Sequence, residues 1–99
     1  MSVQSEKTAG VFDSIVEQCK QLMLAKNHDY GESWREMRLP SITDQILIKA
    51  RRIQRLEELK TQGETPKVSE GIESEYKDIL NYCVFALIRL REEQEALKG

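Results

Sequence analysis

The chain has 99 residues, a formal net charge of -2 at pH 7 and a charged fraction of 32%. This length fits one small domain, residues 1–99, and the nearly neutral balance gives no electrostatic footprint for a nucleic-acid polymer. Two prolines and five glycines, set among long segments of helical period, predict an all-α protein. A chain this short buries a modest core, so oligomerisation would supply further burial.

The composition also argues against several classes of protein. No stretch approaches the roughly 18 consecutive apolar residues of a membrane-spanning helix. The first residues, M-S-V-Q-S-E-K-T, lack the apolar core of a signal peptide. We therefore expect a cytoplasmic protein without a membrane partner. Cys19 and Cys83 fall on apolar helix faces, so we expect two reduced core residues. His28 is the only histidine, and no zinc-binding spacing is present.

A first helix is predicted from about Thr8 to Lys26, after polar residues 1–8 that we expect to fray. Its apolar stripe consists of Phe12, Ile15, Val16, Cys19, Leu22 and Met23. The segment 27–40 interrupts the helical pattern with turn-forming residues. Tyr30 and Trp34 are four apart in this segment, so a short helical turn would set them side by side. They either close the end of the core or stack on a ligand.

Two further helices are predicted. Ser41 and Asp44 resemble a capping box, which would start the second helix and let it run to about Lys60. Residues 61–67 form a turn, with Gly63 near the helix C-cap. The third helix would be capped by Ser69 and continue into residues 92–99, which we expect to be frayed or exposed.

The third helix has one acidic half and one apolar half. Its apolar stripe consists of Ile72, Tyr76, Ile79, Leu80, Cys83, Leu87 and Leu90, and a second face adds Val84, Phe85 and Ile88. A helix that is apolar nearly all round needs more partners than a small monomer supplies. We expect an antiparallel helical bundle that assembles as a homo-oligomer through this helix and the first.

The acidic half provides the lead to function. Glu75 and Asp78 are three apart, so both project to one side about one turn apart. Two hard oxygen ligands in this arrangement suit a divalent cation such as Mg²⁺, or Mn²⁺ in its place. The alternative interpretation is a solvated charged face, because the same spacing arises easily in an acid-rich helix.

Counting outward from the turn adds residues of the second helix to these acids. A short turn makes the two helices antiparallel neighbours, and a midpoint at residues 64–65 brings Glu57 and Glu58 near the acidic pair. Lys49 and Arg52 then lie level with residues 78–82, and Asn81 lies between the two groups. Converging acids attract a metal ion, and adjacent bases bind phosphate oxygens. Alternatively, Lys49 and Arg52 are helix-surface charges that pair with the acids.

Three segments carry a family resemblance. They are K-N-H-D-Y-G-E-S-W, S-I-T-D-Q-I-L-I-K-A-R-R-I and S-E-G-I-E-S-E-Y-K-D-I-L-N-Y-C-V-F-A-L-I-R-L. Together they resemble the DUF1599 family, nucleotide modification associated domain 1, over about residues 10–91. That family is similar to the MazG-like all-α nucleoside triphosphate pyrophosphohydrolases, and this similarity implies a homo-oligomer that is a dimer or a tetramer of helical bundles.

The resemblance implies a Mg²⁺ site with an E-x-x-E motif on one helix and E-x-x-D on the next. E-x-x-D falls on Glu75 and Asp78. The second acid of E-x-x-E falls on Glu57, but its first position holds Gln54. By the same analogy, bound nucleotide would contact the following residues through phosphate, sugar or base: Lys49, Arg52, Asn81, Tyr30 and Trp34.

Three hypotheses about function follow. The first is a Mg²⁺-dependent enzyme that cleaves a (deoxy)nucleoside triphosphate to the monophosphate and pyrophosphate. In it Glu57, Glu75 and Asp78 hold the metal, Glu75 is also catalytic, and Glu58 deprotonates the attacking water. The second is a nucleotide-binding module without hydrolysis, which Gln54 favours. The third is a helical structural or adaptor protein whose acids face solvent.

Overall fold

A computed structural model describes residues 2–67 and 71–98. Helix α1 spans Val3–Tyr30, a 3₁₀ turn spans Ser33–Arg35, α2 spans Leu39–Thr61 and α3 spans Ile72–Lys98. No strand occurs within these residues, which confirms the predicted all-α class. The chain divides into two compact units, Met1–Glu32 with α1 and Ser33–Gly99 with the other elements.

Helix α1 is longer at both ends than its apolar pattern predicts. It begins at Val3 because Ser2 caps it: the Ser2 hydroxyl accepts a hydrogen bond from the amide of Ser5 at 3.1 Å. It ends at Tyr30, where Gly31 adopts a φ of 72° and donates its N–H to the Asn27 carbonyl at 2.8 Å. The predicted limits near residues 8 and 26 were therefore wrong. They rest on the apolar stripe, and the first and last turns of the helix carry mostly polar side chains that do not extend that stripe.

The two cysteines are free, as expected, but their surroundings differ. Cys19 in α1 is fully buried, whereas Cys83 in α3 is exposed. The prediction that Cys83 is a core residue was wrong, because it lies on a side of α3 that the described residues leave in solvent.

Helix α2 begins two residues before the predicted capping box. Arg38 is its N-cap, without a side-chain hydrogen bond, and Pro40 lies in the first turn. Proline suits this place because its missing N–H has no helical partner there. Ser41 is consequently inside the helix, and its amide donates to the Arg38 carbonyl at 2.9 Å. The capping box of Ser41 and Asp44 was therefore a wrong prediction.

Helix α2 ends in a Schellman-type cap that confirms the role of Gly63. Gly63 has a φ of 76°, its amide donates to the Lys60 carbonyl, and the Glu64 amide donates to the Leu59 carbonyl. This pair of bonds satisfies orphan carbonyls at the helix end, and the positive φ suits a residue without a Cβ. The predicted cap of α3, Ser69, lies outside the described residues, and α3 begins at Ile72.

Helices α2 and α3 are antiparallel neighbours, as predicted. Their contacts run in opposite chain directions, since Arg52 lies next to Glu75 while Lys49, a turn earlier, also reaches Asp78. Ile42 and Ile53 of α2 are buried. No helix in the described ranges has the length and apolar character needed to cross a membrane.

The 3₁₀ turn is fixed on the C-terminal half of α3 by three kinds of contact. Trp34 stacks on Phe85 with a centroid distance of 4.5 Å and an interplanar angle of 3°. Arg35 pairs with both oxygens of Glu92, at 3.0 and 2.9 Å. Arg89 donates from Nη1 to the Trp34 carbonyl at 3.3 Å. These contacts hold the chain before α2 at the far end of the α2–α3 pair from Gly63.

Candidate functional site

Four charged side chains meet between the middle of α2 and the first half of α3. The Lys49 ammonium lies 3.0 Å from Asp78 Oδ2 and 3.5 Å from Glu75 Oε2. Arg52 Nη1 lies 3.8 Å from the other Glu75 oxygen, Oε1. We call Lys49, Arg52, Glu75 and Asp78 the charge cluster. The alternative interpretation, in which Lys49 and Arg52 pair with the acids, thus agrees with the geometry, although Lys49 is buried and not a surface charge.

Burial distinguishes this cluster from an ordinary surface ion pair. The side chains of Glu75, Lys49 and Asp78 are only 7%, 13% and 17% exposed, while that of Arg52 is 56% exposed. A carboxylate removed from water to this extent is costly unless charges and hydrogen bonds compensate it. Arg52 therefore marks the side on which the cluster meets solvent.

One oxygen of Glu75 lacks the compensation that its burial calls for. Glu75 Oε2 is buried and accepts no hydrogen bond from the described residues, although the Lys49 ammonium stands 3.5 Å away. Buried polar atoms are normally hydrogen-bonded, so an exception is a place where a ligand or ion can supply the missing contact. This oxygen faces into the charge cluster.

The surroundings of Lys49 favour its charged form. Burial lowers the pKa of Lys49, but the hydrogen bond to Asp78 and the negative charges of Asp78 and Glu75 outweigh it, against a smaller lowering by Arg52. The net result is a pKa above the ordinary value of 10.5. The ammonium is therefore a permanent positive charge between the two carboxylates at neutral pH.

Asn81, the predicted sugar or phosphate contact, is half-buried one turn beyond Asp78 on α3. Tyr30 and Trp34, the predicted base contacts, are not on one helical turn, because α1 ends at Tyr30 and Trp34 belongs to the 3₁₀ turn. Tyr30 is 78% exposed and Trp34 only 6%. Trp34 also carries the Arg35 guanidinium over its ring at 4.5 Å. This packing favours the core interpretation of Trp34.

Glu57 and Glu58 are not part of the charge cluster. Glu58 is exposed on α2 and pairs with Arg55 at 3.2 Å. It follows Lys49 by nine residues, which places it about 180° around the helix and roughly 13 Å along it. Glu57 lines a groove of about 330 Å³ on the other flank of the α2–α3 contact, with Gln54 and Tyr76. Within residues 2–67 and 71–98, no three Asp, Glu, His or Cys side chains are grouped for metal binding.

The acidic pair nevertheless has the ligand type for one Mg²⁺ ion, at the position that the Lys49 ammonium occupies in this structure. Mg²⁺ in proteins is commonly held by one or two carboxylates, with water and substrate phosphates completing its octahedron. Glu75 and Asp78 are close enough that one ammonium contacts both, and Glu75 Oε2 still lacks a hydrogen bond. The donor set suits a single ion, whereas a site with several metals would need acids that the described residues do not bring here.

Comparison with known protein families agrees with the resemblance noted in the sequence. Residues 26–90, about two thirds of the chain, match the family DUF1599, nucleotide modification associated domain 1. The chain belongs to this family. The residues matched to DUF1599 include the whole charge cluster and the Trp34, Phe85 and Arg89 contacts of the 3₁₀ turn. No curated protein and no solved structure matches the chain.

Sequence reasoning missed two features of this region. One is the groove on the other flank of the α2–α3 contact, to which Tyr76 contributes although it was assigned only to the apolar stripe of α3. The other is the docking of the 3₁₀ turn by Arg89 and Glu92. The sequence did contain one indication of this docking surface: Arg89 lies four residues after Phe85, so both side chains lie on one face of α3.

Proposed function

We propose that the protein is a Mg²⁺-dependent nucleoside triphosphate pyrophosphohydrolase with the charge cluster as its active site. The observation that carries the proposal is the buried acidic pair, Glu75 and Asp78, set directly against Lys49 and the solvent-facing Arg52. Carboxylates for a divalent ion next to bases for phosphate oxygens are the arrangement that phosphoryl chemistry requires. The family description, which refers to nucleotide modification, and the resemblance to MazG-like enzymes support the same class.

Each member of the cluster has a role in this proposal. Glu75 and Asp78 would hold Mg²⁺, which when bound polarises the phosphorus centre and lowers the pKa of water. Arg52, 56% exposed, would receive the phosphate chain from solvent, and Lys49 would bind a deeper phosphate oxygen. Because Glu75 and Asp78 are largely buried between the helices, water screens their charges less, which strengthens each of these electrostatic contacts.

The test is pyrophosphate release from a panel of ribo- and deoxyribonucleoside triphosphates in the presence of Mg²⁺. We expect Glu75→Gln to abolish release, because it keeps the shape of the side chain and removes its charge. The matched control is Glu73→Gln, on the same helix, at a side chain that is 83% exposed and paired with Lys77. Release that survives equally in both variants would refute the proposal.

A second candidate is a nucleotide-binding module that does not hydrolyse its ligand. Two observations favour it: Gln54 replaces an acid of the MazG-like pattern, and Glu57 lines the neighbouring groove beside it, away from the cluster. If no triphosphate is cleaved with Mg²⁺ or Mn²⁺, Gln54→Glu is the discriminating variant. A gain of turnover would identify a degraded catalytic site, and binding without turnover would support the module.

We also propose that the protein works in the cytoplasm as a homo-oligomer assembled through α3. The support is a set of exposed apolar side chains on that helix: Tyr76, Val84, Leu87 and Leu90. Leu87, at 65% exposure, is the most exposed of these, so Leu87→Lys should lower the mass measured by light scattering. An unchanged mass in that variant, or a monomeric wild type, would refute assembly through this face.

A further inference from the structure

Lys49 occupies the position that a metal ion on the acidic pair would need. Its ammonium contacts Asp78 at 3.0 Å and Glu75 at 3.5 Å, in a side chain that is 13% exposed. Two cations at one pair of carboxylates repel each other strongly where water is largely excluded. A divalent ion can therefore bind there only if the Lys49 ammonium moves away.

Moving Lys49 is unfavourable unless a new anion receives it. The two acids and the two bases of the cluster cancel in formal charge, so a free divalent ion would leave an uncompensated double positive charge in a mostly buried site. The described residues place no third acid in a group with Glu75 and Asp78 that could offset this charge. Phosphate oxygens that arrive with the ion would offset it, because they accept bonds from ammonium and guanidinium groups.

We propose that Lys49 is a built-in counter-ion that makes the site select a divalent metal together with a polyphosphate and reject the free ion. This inference rests on the proposed function, since it assumes that the cluster binds a metal and phosphates. Lys49 exchanges the two carboxylates for a phosphate oxygen when both arrive. The acidic pair is thereby neutralised at every stage, first by Lys49 and then by the metal.

The first experiment uses the wild-type chain and follows thermal unfolding with Mn²⁺, with inorganic tripolyphosphate, and with both. A ligand that binds only the folded state raises the melting temperature. We expect Mn²⁺ alone to have almost no effect, and the combination to exceed the sum of the separate shifts by several degrees, about 5 °C. Stabilisation by Mn²⁺ alone that equals the combination would overturn the inference.

The second experiment measures free Mn²⁺ binding by calorimetry, without phosphate, in Lys49→Gln and in the control Lys60→Gln. Lys60 is an exposed lysine in the last turn of the same helix. Removing the ammonium should tighten free Mn²⁺ binding about tenfold or more in Lys49→Gln, because the acidic pair loses its competing cation. Lys60→Gln should bind as the wild type does. Equal affinities in all three proteins would overturn the inference.

A charge-preserving variant covers the case in which Lys49→Gln does not fold. Lys49→Arg keeps the positive charge, so this variant should still bind free Mn²⁺ weakly. If Lys49→Arg bound free Mn²⁺ as tightly as it binds Mn²⁺ in the presence of tripolyphosphate, the counter-ion role would be contradicted. The two proposals also fail separately. Joint stabilisation without pyrophosphate release overturns the hydrolase and leaves the counter-ion. Pyrophosphate release by a protein that binds free Mn²⁺ tightly overturns the counter-ion proposal and leaves the hydrolase.

Discussion

Replacing Lys49 by Met tests whether the charge cluster is a buried structure or a solvated face. Methionine keeps the length and apolar stem of the side chain but removes the ammonium that contacts Asp78 and Glu75 at 3.0 and 3.5 Å. The two carboxylates would then face each other without a cation inside the pair. Arg52 alone would remain, 3.8 Å from Glu75 and more than half exposed.

The expected size of the effect follows from burial. Removing one partner of a buried ion pair costs about 3–5 kcal/mol, while an exposed pair contributes roughly 0–1 kcal/mol. The side chains of Lys49 and Asp78 are 13% and 17% exposed, so we expect a loss slightly below the buried range, about 2–4 kcal/mol. For a chain of this size that corresponds to a fall in melting temperature of roughly 10–30 °C.

The assay is urea unfolding at fixed protein concentration, followed by fluorescence of the single tryptophan, Trp34, which is buried in the folded chain. Lys60→Met is the control for the same substitution at an exposed site of α2, where we expect a loss below about 1 kcal/mol. Adding Glu75→Gln to Lys49→Met should recover about 1–2 kcal/mol, since it removes one of the two buried carboxylates that would otherwise repel each other. A loss for Lys49→Met as small as that of the control would refute the buried-cluster reasoning.

Two further predictions concern pH and packing. Because the folded-state pKa of Lys49 is raised above 10.5, its contribution to stability is complete below that pH and is lost as pH rises through the folded value. The difference in unfolding free energy between wild type and Lys49→Met should therefore be constant from pH 7 to about 10 and shrink above it, and a difference that grows there would contradict this sign. Phe85→Ala, which removes the ring stacked at 4.5 Å on Trp34, should cost about 2–3 kcal/mol because Phe85 is half-buried, and Leu97→Ala, at a residue 88% exposed, should cost almost nothing. Equal losses in these two variants by urea unfolding would count against the docked 3₁₀ turn.

The sequence was sufficient for the all-α class and for the four charged residues of the cluster, because helical period and the spacing of charges within one helix are local properties. Acids three apart on α3 and bases three apart on α2 were expected to meet, and Lys49 pairs with both acids. The register was less well predicted. The cross-helix contacts centre the reversal near Gly63, whose positive φ ends α2, and not at residues 64–65. This shift helps to explain why Glu58 does not lie beside the acidic pair.

The sequence could not show which side of α3 its neighbour covers. Periodicity selected the stripe that contains Tyr76 and Leu87, yet these side chains are 56% and 65% exposed. The side that packs on α2 instead presents Glu75, because Lys49 and Arg52 on the facing helix supply opposite charge. An apolar stripe indicates which surface avoids water, but it does not say which partner covers it.

Stability alone does not account for a charge cluster at this position. Well-packed apolar residues of similar volume can replace a buried ion pair at no cost, and often with a gain of about 1–4 kcal/mol. Two helices could therefore pack equally well without Glu75, Asp78 and Lys49. The cluster also leaves one buried oxygen, Glu75 Oε2, without a hydrogen bond from any described residue, which adds to its cost. This cost without a gain in stability supports the proposal that the cluster serves binding, since its charges cancel in the free protein and a metal with phosphates could replace them together.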